Sequence, residues 1–145
     1  MKSAWDLLRD KGNAVWSTTP DATVFSALEM MAEKNVGALM VMENGRLAGM
    51  FSERDYARKV ILHNRHSRET RVSEIMNPDV VTVTPDHDLE ACMEIITERR
   101  VRHLPVVEDG RVIGIVSIGD IVKGVIEHKE FVIQQLEKYI RGHHR

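Results

Sequence analysis

The sequence aligns with itself at a shift of 65 residues, which sets Pro20 on Pro85, Gly45 on Gly110, Gly49 on Gly114, Ser52 on Ser117 and Asp55 on Asp120. The register runs without a gap from Thr19–Ile61 against Thr84–Ile126 and gathers further identities such as Glu29/Glu94, Val36/Val101 and Leu39/Leu104. A two-fold repeat is too short for a solenoid, which needs about three units. The two copies in this chain of 145 residues are therefore expected to bury their apolar faces against each other.

Local signals follow one order in each copy. Thr19-Pro20-Asp21 and Thr84-Pro85-Asp86 predict helix starts, with Pro early and Asp in the first turn where it suits the helix dipole. Val24, Leu28 and Met31, matched by Leu89, Met93 and Ile96, recur at helical spacing. Leu39–Met42 and Leu104–Val107 predict buried strands, and Asn44-Gly45 and Asp109-Gly110 predict tight hairpins. A second strand should end at Phe51 or Val116, with a helix opening at Ser52 or Ser117. With Val15-Trp16-Ser17 and Val80-Val81-Thr82 as leading strands, each copy reads β-α-β-β-α. The fold class is thus α/β (α+β): two motifs related by pseudo-two-fold symmetry, with small mixed sheets packed by helices. The expected boundaries are a helical lead-in at 1–13, motif 1 at 14–64, a polar linker at 65–71, motif 2 at 72–126 and a C-terminal helical extension at 127–145. The last helix should run from about Ile118 to Ile140.

Composition excludes several classes of function. Twenty basic against 22 acidic side chains give a formal net charge of -2, so no broad positive field supports nonspecific nucleic-acid binding. No apolar run approaches the roughly 20 residues that span a bilayer. Asp6, Arg9 and Asp10 interrupt the place where a signal peptide needs an apolar run, and the single Cys92 has no partner for an internal disulfide. These features predict a cytoplasmic protein without a membrane association. Cys92 falls on the apolar side of its helix with nothing nearby to activate it. The histidines other than His103 lack the paired spacing of a zinc site, and no metal or catalytic cofactor is expected.

The repeated loop is Gly49-Met50-Phe51-Ser52-Glu53-Arg54-Asp55, matched by Gly114-Ile115-Val116-Ser117-Ile118-Gly119-Asp120. One reading is a capping box, with Ser as N-cap and an acid three residues later. The other uses the same geometry for a ligand: the helix N-terminus attracts phosphate, Ser donates to it, and the carboxylate accepts both hydroxyls of a ribose cis-diol. Gly49 and Gly114 would then let the ligand approach the backbone. Spacing alone does not separate the two.

Taken in order, the T-P-D turns, the apolar helices, Arg102-His103-Leu104-Pro105-Val106-Val107-Glu108-Asp109-Gly110 and Gly114–Asp120 resemble the CBS domain, named from cystathionine β-synthase. Two tandem copies resemble a CBS pair, or Bateman module, over about residues 14–126, and Ser73-Glu74-Ile75-Met76 is similar to that family's lead-in. The resemblance implies an adenosine ligand (AMP, ADP, ATP, NAD or S-adenosylmethionine) held in clefts between the motifs. It implies ribose-binding roles for Asp55 and Asp120 and phosphate-side roles for Ser52 and Ser117. Thr18, Thr19, Thr82 and Thr84, with Gly37, Ala38, Arg102 and His103, would line the adenine cleft. Arg102 and His103 stand where copy 1 has Gly37 and Ala38 and would contact phosphate; Arg54, next to Asp55, could reach the same anion.

The function implied is a regulatory module that binds adenosine nucleotide and biases an unidentified protein partner, as a homodimer associated through its helices. Two other classes compete with it. One is an assembly module whose Ser/Asp pairs are only caps. The other is a nucleotide-processing enzyme, disfavoured because the chain has no nucleophile–base pair, P-loop lysine motif or carboxylate cluster.

Overall fold

The computed structural model describes residues 2–12 and 14–143. His144, expected with His143 to belong to a tail, lies outside the described residues. The chain divides into two compact units, one of Ala14–Val80 and one of Met1–Asn13 with Val81–Arg145.

The second unit begins with helix α1 (Ala4–Lys11), whose N-cap Ser3 accepts from the Asp6 N–H while Asp6 accepts from the Ser3 N–H. The first unit opens with strand β1 (Ser17–Thr18), helix α2 (Val24–Lys34) and the hairpin β2 (Ala38–Glu43) and β3 (Arg46–Ser52). It continues into the short helix α3 (Glu53–Tyr56), a π-helical turn over Ala57–Ile61, and helix α4 (Val72–Ile75). Strand β1 pairs in parallel with β2, and β2 pairs antiparallel with β3. The second unit resumes with helix α5 (Leu89–Arg99), the antiparallel hairpin β4 (His103–Glu108) and β5 (Arg111–Ser117), and the long helix α6 (Ile118–His143).

The hairpins form where expected because Asn44-Gly45 and Asp109-Gly110 hold positive φ at both central positions, 52° and 77°, then 51° and 77°. That is the twist a two-residue turn needs to match its strands. Each hairpin shifts register at the same place, between Val41 and Met42 and between Val106 and Val107.

Two expectations are corrected. Helices α2 and α5 do not start at the T-P-D segments but beyond them, capped by Thr23 and Asp88, whose side chains accept from Ser26 N and Ala91 N. The T-P-D residues form turns closed by Ala22 N–H to Thr19 O and His87 N–H to Thr84 O, each at 3.2 Å. The leading strands are also shorter and later. In the first unit the strand is Ser17–Thr18, and in the second it shrinks to a parallel bridge between Val83 and Val106, outside Val80-Val81-Thr82. Val83 is the buried residue there, bonded to Pro105 O and Val107 N, so the backbone follows the hydrophobic side chain rather than the start of the apolar run.

The cores repeat as the sequence does. Val24, Ala27 and Met31 of α2 pack with Leu39, Val41 and Phe51, while Leu89, Cys92 and Ile96 of α5 pack with Leu104, Val106 and Val116. Residues 65–71 are stitched to the first unit: Val24 N–H donates to Thr70 O, Phe25 N–H to Ser67 O, and Thr70 is itself buried. Helix α4 adds Val72 and Ile75 to the first unit's core, and α1 adds Ala4, Leu7 and Leu8 to the second's. Cys92 is fully buried, and burial pushes its thiol up to about 11, which makes it inert at neutral pH.

Candidate functional site

Each unit carries the same corner, made where the hairpin's second strand turns into a helix. In the first, Ser52 ends β3 opposite Ala38, and the Glu53 N–H donates to Gly37 O at 3.1 Å. In the second, Ser117 ends β5 opposite His103, and the Ile118 N–H donates to Arg102 O at 2.9 Å. This brings Gly37, Ala38, Ser52, Arg54 and Asp55 to one corner and Arg102, His103, Ser117 and Asp120 to the other.

Both corners are closed by reciprocal bonds. The Ser52 N–H donates to Asp55 Oδ2 at 2.9 Å, and the Asp55 N–H donates to Ser52 Oγ at 3.2 Å. The Ser117 N–H donates to Asp120 Oδ2 at 2.8 Å, and the Asp120 N–H donates to Ser117 Oγ at 3.1 Å. The capping geometry is therefore present in both copies. It leaves the aspartate side chains 20% and 25% exposed, so each carboxylate is still reachable.

Four threonines lie elsewhere. Thr18 pairs with Val41, three residues along β2 from Ala38, or about 10 Å at 3.3 Å per residue. Thr19 accepts from Ala22 in the following turn. Thr82 and Thr84 flank the Val83 bridge, and Thr84 is engaged with Asp86 and His87 in its own turn. Gly49 and Gly114 do not open the backbone to a ligand: a β-carbon on Gly49 would lie 2.9 Å from Asn77 O and from the Met76 sulfur, and one on Gly114 would lie 2.5 Å from Leu8 Cδ2. Their small size serves the packing of the lead-in segments.

Two lysines that the sequence reading missed complete the corners. Lys59 Nζ lies 3.5 Å from Asp55 Oδ1 and donates to Ile75 O at 3.1 Å. Lys11 Nζ donates to Asp120 Oδ2 at 2.7 Å and to Ile115 O at 3.1 Å. Lys59 was legible one helical turn after Asp55, where an acid and a base face each other. Lys11, 109 residues from Asp120, left no local signal.

These groups set the electrostatics of the second corner. Burial pulls the Asp120 carboxyl upward, but the Lys11 hydrogen bond, the Ser117 N–H and the Lys11 charge together outweigh it and hold the group below its ordinary 3.8. His103 is pushed below its ordinary 6.5 chiefly by burial and then by the Lys11 charge, with Asp120 pulling the other way. At neutral pH the corner thus holds a carboxylate, an ammonium and a neutral imidazole. Among the described residues no group of three or more His, Cys, Asp or Glu is placed to hold a metal ion, and no helix is long and apolar enough to cross a membrane.

Comparison with known proteins points the same way. The family described as CBS domain matches residues 13–62 and 72–127. The chain is 43% identical over 148 residues to the CBS domain-containing protein CBSX3, mitochondrial, of Arabidopsis thaliana, covering 94% of this chain and 71% of the relative. The crystal structure of the CBS domain NE2398 superposes with a TM-score of 0.82 at 47% identity, over 86% of this chain and 98% of that one. The CBS domain pair of protein MJ0100, solved with 5′-methylthioadenosine and S-adenosyl-L-methionine, shares the fold, with a TM-score of 0.77 at 22% identity over 89% and 98% of the two chains. With two matched repeats, each carrying its own hairpin and Ser/Asp corner, the chain belongs to the CBS domain family and is a CBS domain pair, a regulatory module.

Proposed function

We propose that this chain senses an adenosine nucleotide (AMP, ADP, ATP or NAD) at its Ser/Asp corners and passes the resulting conformational change to a protein it regulates. The observation that carries this reading is that a partly exposed carboxylate, one turn into a helix, is built twice with the same serine partner. Such a carboxylate can accept from a ribose cis-diol while the serine and the helix N-terminus face a phosphate. Arg54 in one copy, and Arg102 and His103 in the other, supply nearby groups for the phosphate. The adenosyl compounds bound to the MJ0100 pair fit the same chemistry. Regulation needs only that the two conformations bind the ligand with different affinity.

The acting species in this reading is a homodimer. Ile126, Ile133, Leu136 and Ile140 of α6 are more than half exposed, and a second copy would cover them.

The test is mass spectrometry of small molecules that copurify with the protein, followed by titration calorimetry with AMP, ADP, ATP, NAD and S-adenosylmethionine. Binding of at least one, with the nucleotide recovered unchanged after hours, is the expected result. No binding at millimolar concentration overturns the sensor, and heat-sensitive conversion that tracks the protein through purification overturns the absence of catalysis.

A second reading is favoured by the closed capping boxes: an assembly module in which Ser52/Asp55 and Ser117/Asp120 only start their helices.

A further inference from the structure

We propose that Lys11, supplied by helix α1, is a ligand-contacting and positioning residue of the Ser117/Asp120 site, where it meets the phosphate of a bound adenosine nucleotide. This rests on the reading of that corner as a nucleotide site.

An ammonium has three donors. Lys11 uses one on Asp120 Oδ2 at 2.7 Å and one on Ile115 O at 3.1 Å. Among the described residues the third has no acceptor, and the Lys11 side chain is 37% exposed. On the other side of the pair, Asp120 Oδ2 also accepts the Ser117 N–H at 2.8 Å, so this oxygen is saturated and the carboxylate plane is fixed. That leaves Oδ1 for a ligand hydroxyl and the third ammonium proton for an anion. A charge-assisted bond of this kind is about twice as strong as a neutral one.

The placement is preorganised rather than incidental. Helix α1 is held at its start by Ala4 N–H to His87 O at 2.8 Å and Trp5 N–H to Pro85 O at 2.9 Å, and Leu8 sits against Gly114. Lys11 and Asp120 also border a cavity of about 220 Å³ together with Asp10, Lys123 and Glu127. That is below the roughly 300 Å³ of a pocket for a whole small ligand, so this space suits one group of a larger molecule.

The first unit solves the same problem differently. Lys59 reaches Asp55 from the following turn of its own chain segment, at the longer distance of 3.5 Å. The two sites are therefore unequal: only the second draws a cation from the N-terminal helix, and only it depends on α1 being docked.

The experiment is titration calorimetry of the full chain with AMP and, separately, with adenosine, in the unmodified protein and in Lys11→Met, Lys11→Arg and Lys59→Met. Lys11→Met should weaken AMP at one class of site by tenfold or more and adenosine much less, while Lys11→Arg recovers most of the loss and Lys59→Met spares that site. A thermal melt checks that each variant is folded, and the charge-preserving arginine keeps the test informative if methionine disturbs α1. The ¹³C titration of the Asp120 carboxyl gives a readout independent of ligand. Its midpoint should rise in Lys11→Met, against the remaining charges around it: Arg102 just before β4, His103 at its start, Lys123 and Glu127 from α6, and Asp10 from α1. Unchanged AMP affinity in Lys11→Met, or an equal loss at both sites or for both ligands, overturns the role of Lys11 while leaving the nucleotide reading standing. If the unmodified protein binds neither compound, the same variants are titrated with whichever of ADP, ATP or NAD it does bind, where a loss in Lys11→Met of less than tenfold overturns the role of Lys11; binding of none of them overturns both readings.

Discussion

The side chain of Leu8 closes over Gly114, so that a β-carbon at position 114 would lie 2.5 Å and 2.7 Å from its two methyl carbons. Leu8 is 3% exposed and has little room to turn away. Gly114→Ala should therefore overpack the contact between α1 and β5 at a cost of about 1–3 kcal/mol. Urea denaturation measures it; an unchanged midpoint would mean that α1 yields freely. Met76 and Asn77 hold the matching place over Gly49, so Gly49→Ala should cost a similar amount, with the backbone oxygen of Asn77 less able to move than a side chain.

Acid should destabilise the protein in two stages. His103 lies below its ordinary 6.5 in the folded chain, so the unfolded chain binds more protons there and stability falls as pH drops from about 6.5 through the folded value. Asp120, held below 3.8, contributes stability that is present above that value and is lost as pH falls further. Thermal melts between pH 7.5 and 5 should show the first slope, and His103→Gln should flatten it. An identical slope in the variant would place the effect on other histidines.

The legible parts of the fold were those whose cause is local. Asn44-Gly45 and Asp109-Gly110 mark their hairpins because two successive positive φ values suit few residues, and Ser52 and Ser117 mark their helix starts through a cap three residues long. The helix starts at Thr23 and Asp88 were missed because Pro20 and Pro85 suit a turn as well as a first helical turn, and the capping residues differ between copies. The lead-in segments escaped the repeat for another reason. Leu8 and Met76 occupy equivalent places, as do Ser3/Asp6 and Arg71/Glu74, but they stand 68 apart, three residues out of the register that relates everything after them. The half of the site that came from Lys11 depends on a contact 109 residues long, and no spacing rule reaches that far.

Asp120→Asn separates ligand site from cap. An asparagine oxygen can still accept the Ser117 N–H, and the ion pair lost with Lys11 is partly exposed, so folding stability should fall by no more than about 1 kcal/mol. Loss of the carboxylate removes the charge-assisted bonds to a ribose diol, so nucleotide affinity should fall by about tenfold or more. A 2′-deoxy nucleotide should show a smaller loss in this variant than the ribonucleotide. If the melting temperature moves and the affinity does not, the assembly reading prevails.

The final expectation concerns the free length of α6. From Lys129 to Arg141 every residue is exposed, including Phe131, Ile133, Leu136 and Ile140. An isolated helix shorter than about 12–15 residues is marginal in water even with good helix formers, so this segment needs cover. Ile126, Ile133 and Ile140 recur every seven residues, which keeps one apolar line on one side of a helix that packs against another. A second copy of the same helix supplies such a partner, and a two-fold pair is the commonest closed assembly. Light scattering at micromolar concentration should therefore give about twice 16.5 kDa, and Leu136→Asp, which sets a charge beside that line between Ile133 and Ile140, should shift the population towards one chain. A monomeric unmodified protein rules out the dimer. A dimer that survives Leu136→Asp unchanged assigns the contact to another surface and leaves the end of α6 to some other cover.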